Sequence, residues 1–261
     1  MGGADVYDAI GRGYAGARRA DPTIVSKLHE SLSTAAGRRL LDVAAGTGNY
    51  SGAFSDLGWN VTALEPSAVM RAQRQADTSI TWVGGIAERL PFRADAFDGV
   101  SCVSALHHLK ERGQALSEMA RVAGAGPIVL FTRDPRIAEP CWMEHYFPEV
   151  WAESHATYPA ISDLATLARQ STGKKVEIEQ FPLPATLADR FAAAGWNRPE
   201  LYLEHRVRAS MSPFARTTAD VVNAGVEKLR HDLASGLWDE RYGALRKAAS
   251  YQAGYYILTA R

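Results

Sequence analysis

Cysteine is almost missing from this chain: two in 261 residues, Cys102 inside an apolar stretch and Cys141 well apart from it. That number and spacing exclude a disulfide framework and a cysteine metal cluster, so no metal is expected, and they suit reduced thiols in a cytosolic setting. No Cys-x3-Cys-x2-Cys run occurs, which disfavours radical chemistry on an iron–sulfur cluster. Net charge is also lacking: 29 Lys and Arg balance 29 Asp and Glu. The basic pairs Arg18-Arg19, Arg38-Arg39 and Lys174-Lys175 lie far apart, leaving no electrostatic footprint for a nucleic acid or an anionic membrane. No apolar run reaches transmembrane length, and residues 1–20 have no signal-peptide core. Internal repeats and low-complexity tracts are absent. These absences predict a soluble, cytoplasmic protein, taken as a monomer or homodimer, with neither nucleic acid nor membrane as partner.

What is present is concentrated in Arg39–Tyr50, with Glu65 downstream. Leu40, Leu41 and Val43 read as a buried parallel strand that runs into a loop of small residues, followed by a helix from about Asn49. Gly46 and Gly48 let the backbone turn sharply and let a ligand approach the peptide groups. The next apolar strand, over 59–64, ends in Glu65, a carboxylate placed to grip the two hydroxyls of a ribose. A nucleoside is therefore expected. Asp42 at the lip of the loop, with no Lys or Arg between Val43 and Leu64, would repel a diphosphate and attract an ammonium group. This pattern favours S-adenosylmethionine. A nicotinamide or flavin dinucleotide is the second reading, only partly supported because Ser51 holds the place of the third small residue. A glycine turn without a ligand is the third.

The four segments Leu41–Gly48, Ala63–Ser67, Gly85–Phe92 and Phe97–Val100 through His107-His108-Leu109 resemble, in order, the motifs of class I S-adenosylmethionine-dependent methyltransferases. The branch is the one that includes the ubiquinone/menaquinone C-methyltransferases and many natural-product enzymes. The likeness covers about the first 130 residues; Trp196–Tyr202, Leu233–Gly236 and Gly254–Tyr256 are similar to the tails of many bacterial members. The resemblance implies cofactor contacts from Asp42, Ala44, Gly46, Thr47, Gly48, Glu65, Pro66, Met70, Ile86, Ala87, Glu88, Ser104 and His107. It adds Tyr14 and Arg18 on an amino-terminal helix folded over the cofactor. Two positions depart from the pattern. Ala44 replaces a frequent glycine, and Ile86 replaces an Asp that bonds the adenine amino group, a loss of about 1 kcal/mol.

The order of elements suits an α/β fold. Strands over 39–44, 59–64, 79–83, 97–103 and 127–132 alternate with helices over 49–57, 67–76 and 112–122, after two helices within 5–36 broken at Asp21-Pro22. Next come a β-rich segment 175–181, a helix 185–194, a strand near 201–209, two helices within 214–250 and a last strand 254–260. With the resemblance, this is a Rossmann-like doubly wound, seven-stranded, mostly parallel sheet with an antiparallel last strand and an inserted helical lid. The expected division is a cofactor-binding core with amino-terminal cap at 1–133, a lid at 134–195 and a completing segment at 196–261.

Methyl transfer from a sulfonium is an in-line displacement that rests on positioning. A base is needed only where the acceptor must lose a proton. His107 and His108, after the fourth strand, are candidates, with His145 in the lid and Tyr14, whose ring could face the sulfonium. His108, Trp142, Tyr146 and Trp151 are the candidate acceptor contacts, since the aromatic-rich 134–185 segment would exclude water and shape a pocket. The bland alternative is that these aromatics form the core of a helical cap. Arg206 and Arg208 would share one face of a strand. The run Ser104–His108 has no Asn/Asp-Pro-Pro-aromatic motif, which argues against nucleic-acid amino methylation. Two rival functions are chemistry on the aminocarboxypropyl chain of the cofactor, releasing methylthioadenosine, and a catalytically silent cofactor-binding partner.

Overall fold

The computed structural model describes residues 18–74, 79–138 and 141–261. Seven strands form one sheet: β1 Arg39–Val43, β2 Asn60–Leu64, β3 Thr81–Val83, β4 Gly99–Val103, β5 Ile128–Arg133, β6 Val176–Gln180 and β9 Tyr255–Ala260. Their order is β3-β2-β1-β4-β5-β9-β6, and β7 Leu183–Pro184 pairs with β8 Ser250–Tyr251 in a separate ribbon. The first five strands are parallel, while β9 runs antiparallel to both β5 and β6. The fold class expected from the sequence is therefore the one observed.

Strand residues alternate between two buried faces. Leu40, Val129, Phe131 and Ile257 join one apolar cluster; Leu41, Val43, Leu130 and Leu258 join the other. Helix α1 Pro22–Ser31 and α2 Asn49–Asp56 cover the first face. Asp21 caps α1 through Thr23 N–H at 2.9 Å, with Pro22 at the first position, as its sequence predicts. A short α3, Ala68–Ala72, follows β2 and is capped by Ser67. Helices α4 Arg112–Ala123 and α7 Ile161–Thr172 cover the second face.

The remaining helices form a cap: α5 Trp142–Tyr146, α6 Pro148–Thr157, α8 His205–Ala209, α9 Ser212–Arg216, α10 Ala219–Ser235 and α11 Leu237–Tyr242. Its centre is Trp142, Phe147, Tyr202, Phe214 and Trp238, packed edge to face. The expected lid of 134–195 is thus not one unit. Its later half, α7 and β6, belongs to the sheet, and the cap draws most of its helices from beyond residue 198.

Two expected elements do not form. Within 185–194 the backbone is held by side chains instead of a helical ladder: Ala188 N–H donates to Asp21, Arg190 N–H to Asp189, and the Arg198 guanidinium to Leu187 O. The strand near 201–209 is a 3-10 turn followed by α8, with the buried Arg208 donating to Tyr202 O at 2.6 Å. Arg206 and Arg208 therefore lie on a helix, not on one face of a strand.

Candidate functional site

The strand order reverses between β1 and β4, and a crevice opens beyond their carboxyl ends. The β1–α2 loop is its floor. Ala44, Gly46 and Gly48 have φ of 56°, 60° and 82°, all left-handed. For Ala44 that conformation is strained, as it is for Ser104 after β4 with φ of 53°. A Cβ on Gly48 would come within 2.6 Å of the Trp82 ring, so the loop requires glycine there twice over. Met70, at the amino end of α3, places its methyl 3.5 Å from where a Gly46 Cβ would stand.

The resulting cleft is a partly open cavity of about 120 Å³. Of the sequence-derived residues, Arg18, Ala44, Gly46, Thr47, Glu65, Pro66, Met70, Ser104 and His108 line it. Glu65, at the end of β2, accepts from Gly46 N–H and Ser67 N–H, each at 2.9 Å, so the carboxylate ties the glycine loop to the start of α3. Asn49, Tyr50 and Asp189 also line the cleft, and the sequence reading missed them. Asp189 is buried and receives Arg18 Nε at 2.5 Å, Arg18 Nη2 at 3.0 Å and the Tyr50 hydroxyl at 3.2 Å. The adjacent charges Asp189 and Arg190 inside the otherwise apolar run Leu187–Ala194 were the available signal.

Other expectations need correction. Asp42 is not at the lip. It lies beneath the loop, 2% exposed, with its oxygens taken by Ser51 Oγ at 2.6 Å and Ser101 Oγ at 2.9 Å. Burial pushes its carboxyl up to about 6, against the pull of those two hydroxyls. Gly48 shapes the floor without lining the cleft, and neither do Ile86, Ala87 and Glu88. Ile86 is exposed, Ala87 is buried, and Glu88 accepts from Lys110 N–H at 3.1 Å, bracing the loop after β4. His145 is on the outer face of the cap beside Arg241 at 3.4 Å, away from every cavity described. Trp142 and Tyr146 are cap core, donating to Trp196 O and Asp232, because their rings fill the space between α5, α10 and α11. Trp151 lies below Arg133 instead of facing a cavity. Tyr14 lies outside the described residues.

A second cavity adjoins the first under the cap and shares Arg18 and Ser104 with it. Core residues His107, Arg133 and Tyr255 face cap residues Ser154, Tyr158, Met211 and Pro213 across it. His107 stacks on Tyr158 at 4.1 Å and lies 3.8 Å from His108. Burial, then its neighbour His108 and the surrounding arginines, holds His107 well below the usual imidazole range. Burial, then Arg216 and Arg112, pulls His108 down to about 3. Burial therefore favours the neutral form of both rings. Among the described residues no group of three His, Cys, Asp or Glu side chains could hold a metal, and no helix is long and apolar enough to cross a membrane.

Residues 41–131 match the methyltransferase domain family. A demethylmenaquinone methyltransferase of Renibacterium salmoninarum is 36% identical over 98 residues, 37% of this chain and 41% of that protein. The chain thus aligns with less than half the length of that relative. One of a Parafrankia species is 30% identical over 193 residues, covering 64% of this chain and 73% of its own. A crystal structure from Anabaena variabilis ATCC 29413, assigned as a methyltransferase from an antibiotic biosynthesis pathway, is 37% identical. It superposes with a TM-score of 0.90 over 94% of this chain and 98% of that one.

Proposed function

The chain belongs to the class I S-adenosylmethionine-dependent methyltransferases, and from that premise we propose that it methylates an O, N or C atom of a small biosynthetic molecule held beneath the cap. The cofactor is S-adenosylmethionine, which when bound supplies an electrophilic methyl on a sulfonium. The cleft fits it. Glu65 stands where ribose hydroxyls would be gripped, and Pro66, Met70 and Leu109 give apolar walls. The Arg18–Asp189 pair offers one charge of each sign to an amino-acid zwitterion. No Lys or Arg occurs between Val43 and Leu64 to hold a diphosphate.

The observation that carries the proposal is the junction of two cavities at Ser104 and Arg18, one suited to the nucleoside and one closed by the cap. The chain's own contribution is to orient an acceptor against the cofactor cleft and to exclude water. Near-attack positioning supplies several kcal/mol of the barrier. The weakly basic His107 and His108 act as wall and hydrogen-bond partners, so an acceptor that is already an anion or a neutral amine suits the site.

Calorimetry with S-adenosylhomocysteine tests the cleft. Glu65→Ala is expected to weaken binding at least tenfold, and unchanged affinity would remove the ribose role. Product analysis tests the reaction. S-adenosylhomocysteine is the expected product, whereas methylthioadenosine would mean chemistry on the aminocarboxypropyl chain.

A further inference from the structure

Arg133 ends β5, a strand otherwise free of charge, and is only 3% exposed. Its Nε donates to Ala253 O at 2.9 Å and its Nη1 to Ser154 Oγ at 3.1 Å, both uncharged acceptors. The rings of Trp151 and Tyr255 lie 5.5 and 5.8 Å from its guanidinium carbon. Among the described residues Nη2 has no hydrogen-bond partner, and no carboxylate forms an ion pair with Arg133. The adjacent Asp134 is committed to Arg136 and to Ile161 N–H, and Asp189 to Arg18 and Tyr50. A buried charge without an opposite partner is costly and uncommon in a folded protein.

This arginine lines the second cavity, where the charge balance is one-sided. Arg18 is neutralised by Asp189, both histidines are uncharged, and Arg133 stands unbalanced. A second orphan is in the same wall: the buried Nδ1 of His107 has no partner. Flat rings form much of the wall, Tyr158 stacked on His107 and Phe191 4.8 Å from Tyr255, with Met211 and Pro213 beside them.

We infer that this cavity is the acceptor subsite and that it takes a planar, aromatic molecule bearing a carboxylate, which Arg133 binds through Nη2. The inference rests on reading the adjoining cleft as the cofactor site. The carboxylate anchors the acceptor at the β5 end of the cavity and turns the rest of it toward Ser104, where the two cavities join. Arginine suits this task because its fork presents several donors to one carboxylate and keeps its charge at any working pH.

The test compares benzoate with benzamide, its neutral isostere, by calorimetry on protein saturated with S-adenosylhomocysteine. Benzoate is expected to bind at least tenfold tighter. Arg133→Gln is expected to abolish that preference while S-adenosylhomocysteine affinity stays within threefold. Equal binding of the two probes, no binding of benzoate, or a preference that survives Arg133→Gln would overturn the inference. If Arg133→Gln does not hold S-adenosylhomocysteine, Arg133→Lys decides: weaker benzoate binding supports the role of the fork, and unchanged binding overturns it. Should the unaltered protein fail to bind S-adenosylhomocysteine, the cofactor reading falls, while the benzoate preference of the free protein still decides the case for Arg133.

Discussion

Burial acts on Asp42 and His108 in opposite senses, and the two effects overlap in pH. Asp42 has its carboxyl raised to about 6, above the ordinary value near 3.9. The stability it contributes is complete below the unfolded value and is lost as pH rises through 6. His108, at about 3 against an ordinary 6.5, contributes stability that is present above 6.5 and lost as pH falls toward 3. Between about pH 4 and 6 the two slopes oppose each other. Asp42→Asn is therefore expected to make stability rise more steeply with pH over that window, and His108→Gln to make it rise less steeply, His107 still contributing a rising slope. Urea unfolding at pH 4.5 and 6.5 reads both; two variants that keep the parent slope would show that neither group is buried as described.

At the scale of elements, the β1–α2 loop separates positions where glycine is required from one where it is merely better. Ala44 holds φ of 56° with a side chain, a conformation that costs an L-residue about 1 kcal/mol. Ala44→Gly is expected to raise stability by up to about 1 kcal/mol, less the extra freedom gained by the unfolded chain. Gly48→Ala meets both the φ of 82° and the Trp82 ring, and it should cost at least about 2 kcal/mol. Denaturant midpoints of the two variants should move in opposite directions. The loop itself was legible from its small residues, as were β1, β2, β4, β5 and β9, because each strand is apolar on both faces. The reading stopped where partners are distant in sequence. Asp189 pairs with Arg18 from 171 residues away, and Asp42 looked like a lip residue because Ser101, which buries it, lies 59 positions on. The run 185–194 has helical apolar spacing, yet its backbone is satisfied by Asp21 and Arg198, whose positions only the fold supplies.

Across the whole molecule, the sheet and the cap meet along a seam that closes the second cavity, so cap packing and acceptor binding are one problem. Helix α10 is seated against α5 at Gly225, where an added Cβ would strike Tyr146 O and come within 2.6 Å of the Phe147 ring. Phe147 in turn packs on Phe214 at 5.0 Å, and α9, which carries Phe214, begins with Ser212 and Pro213 at the cavity wall. A methyl group at 225 therefore pushes α10 from α5 and loosens the wall without touching the glycine loop, Glu65 or the Arg18–Asp189 pair. Gly225→Ala is expected to leave S-adenosylhomocysteine affinity within threefold while benzoate binding falls at least tenfold. Hydrogen exchange should quicken in 142–157 and 212–235 and stay unchanged in β1 and β4. Equal loss of both ligands would mean that the cap and the cofactor cleft unfold as one cooperative unit, and that the acceptor site cannot be altered independently of the sheet.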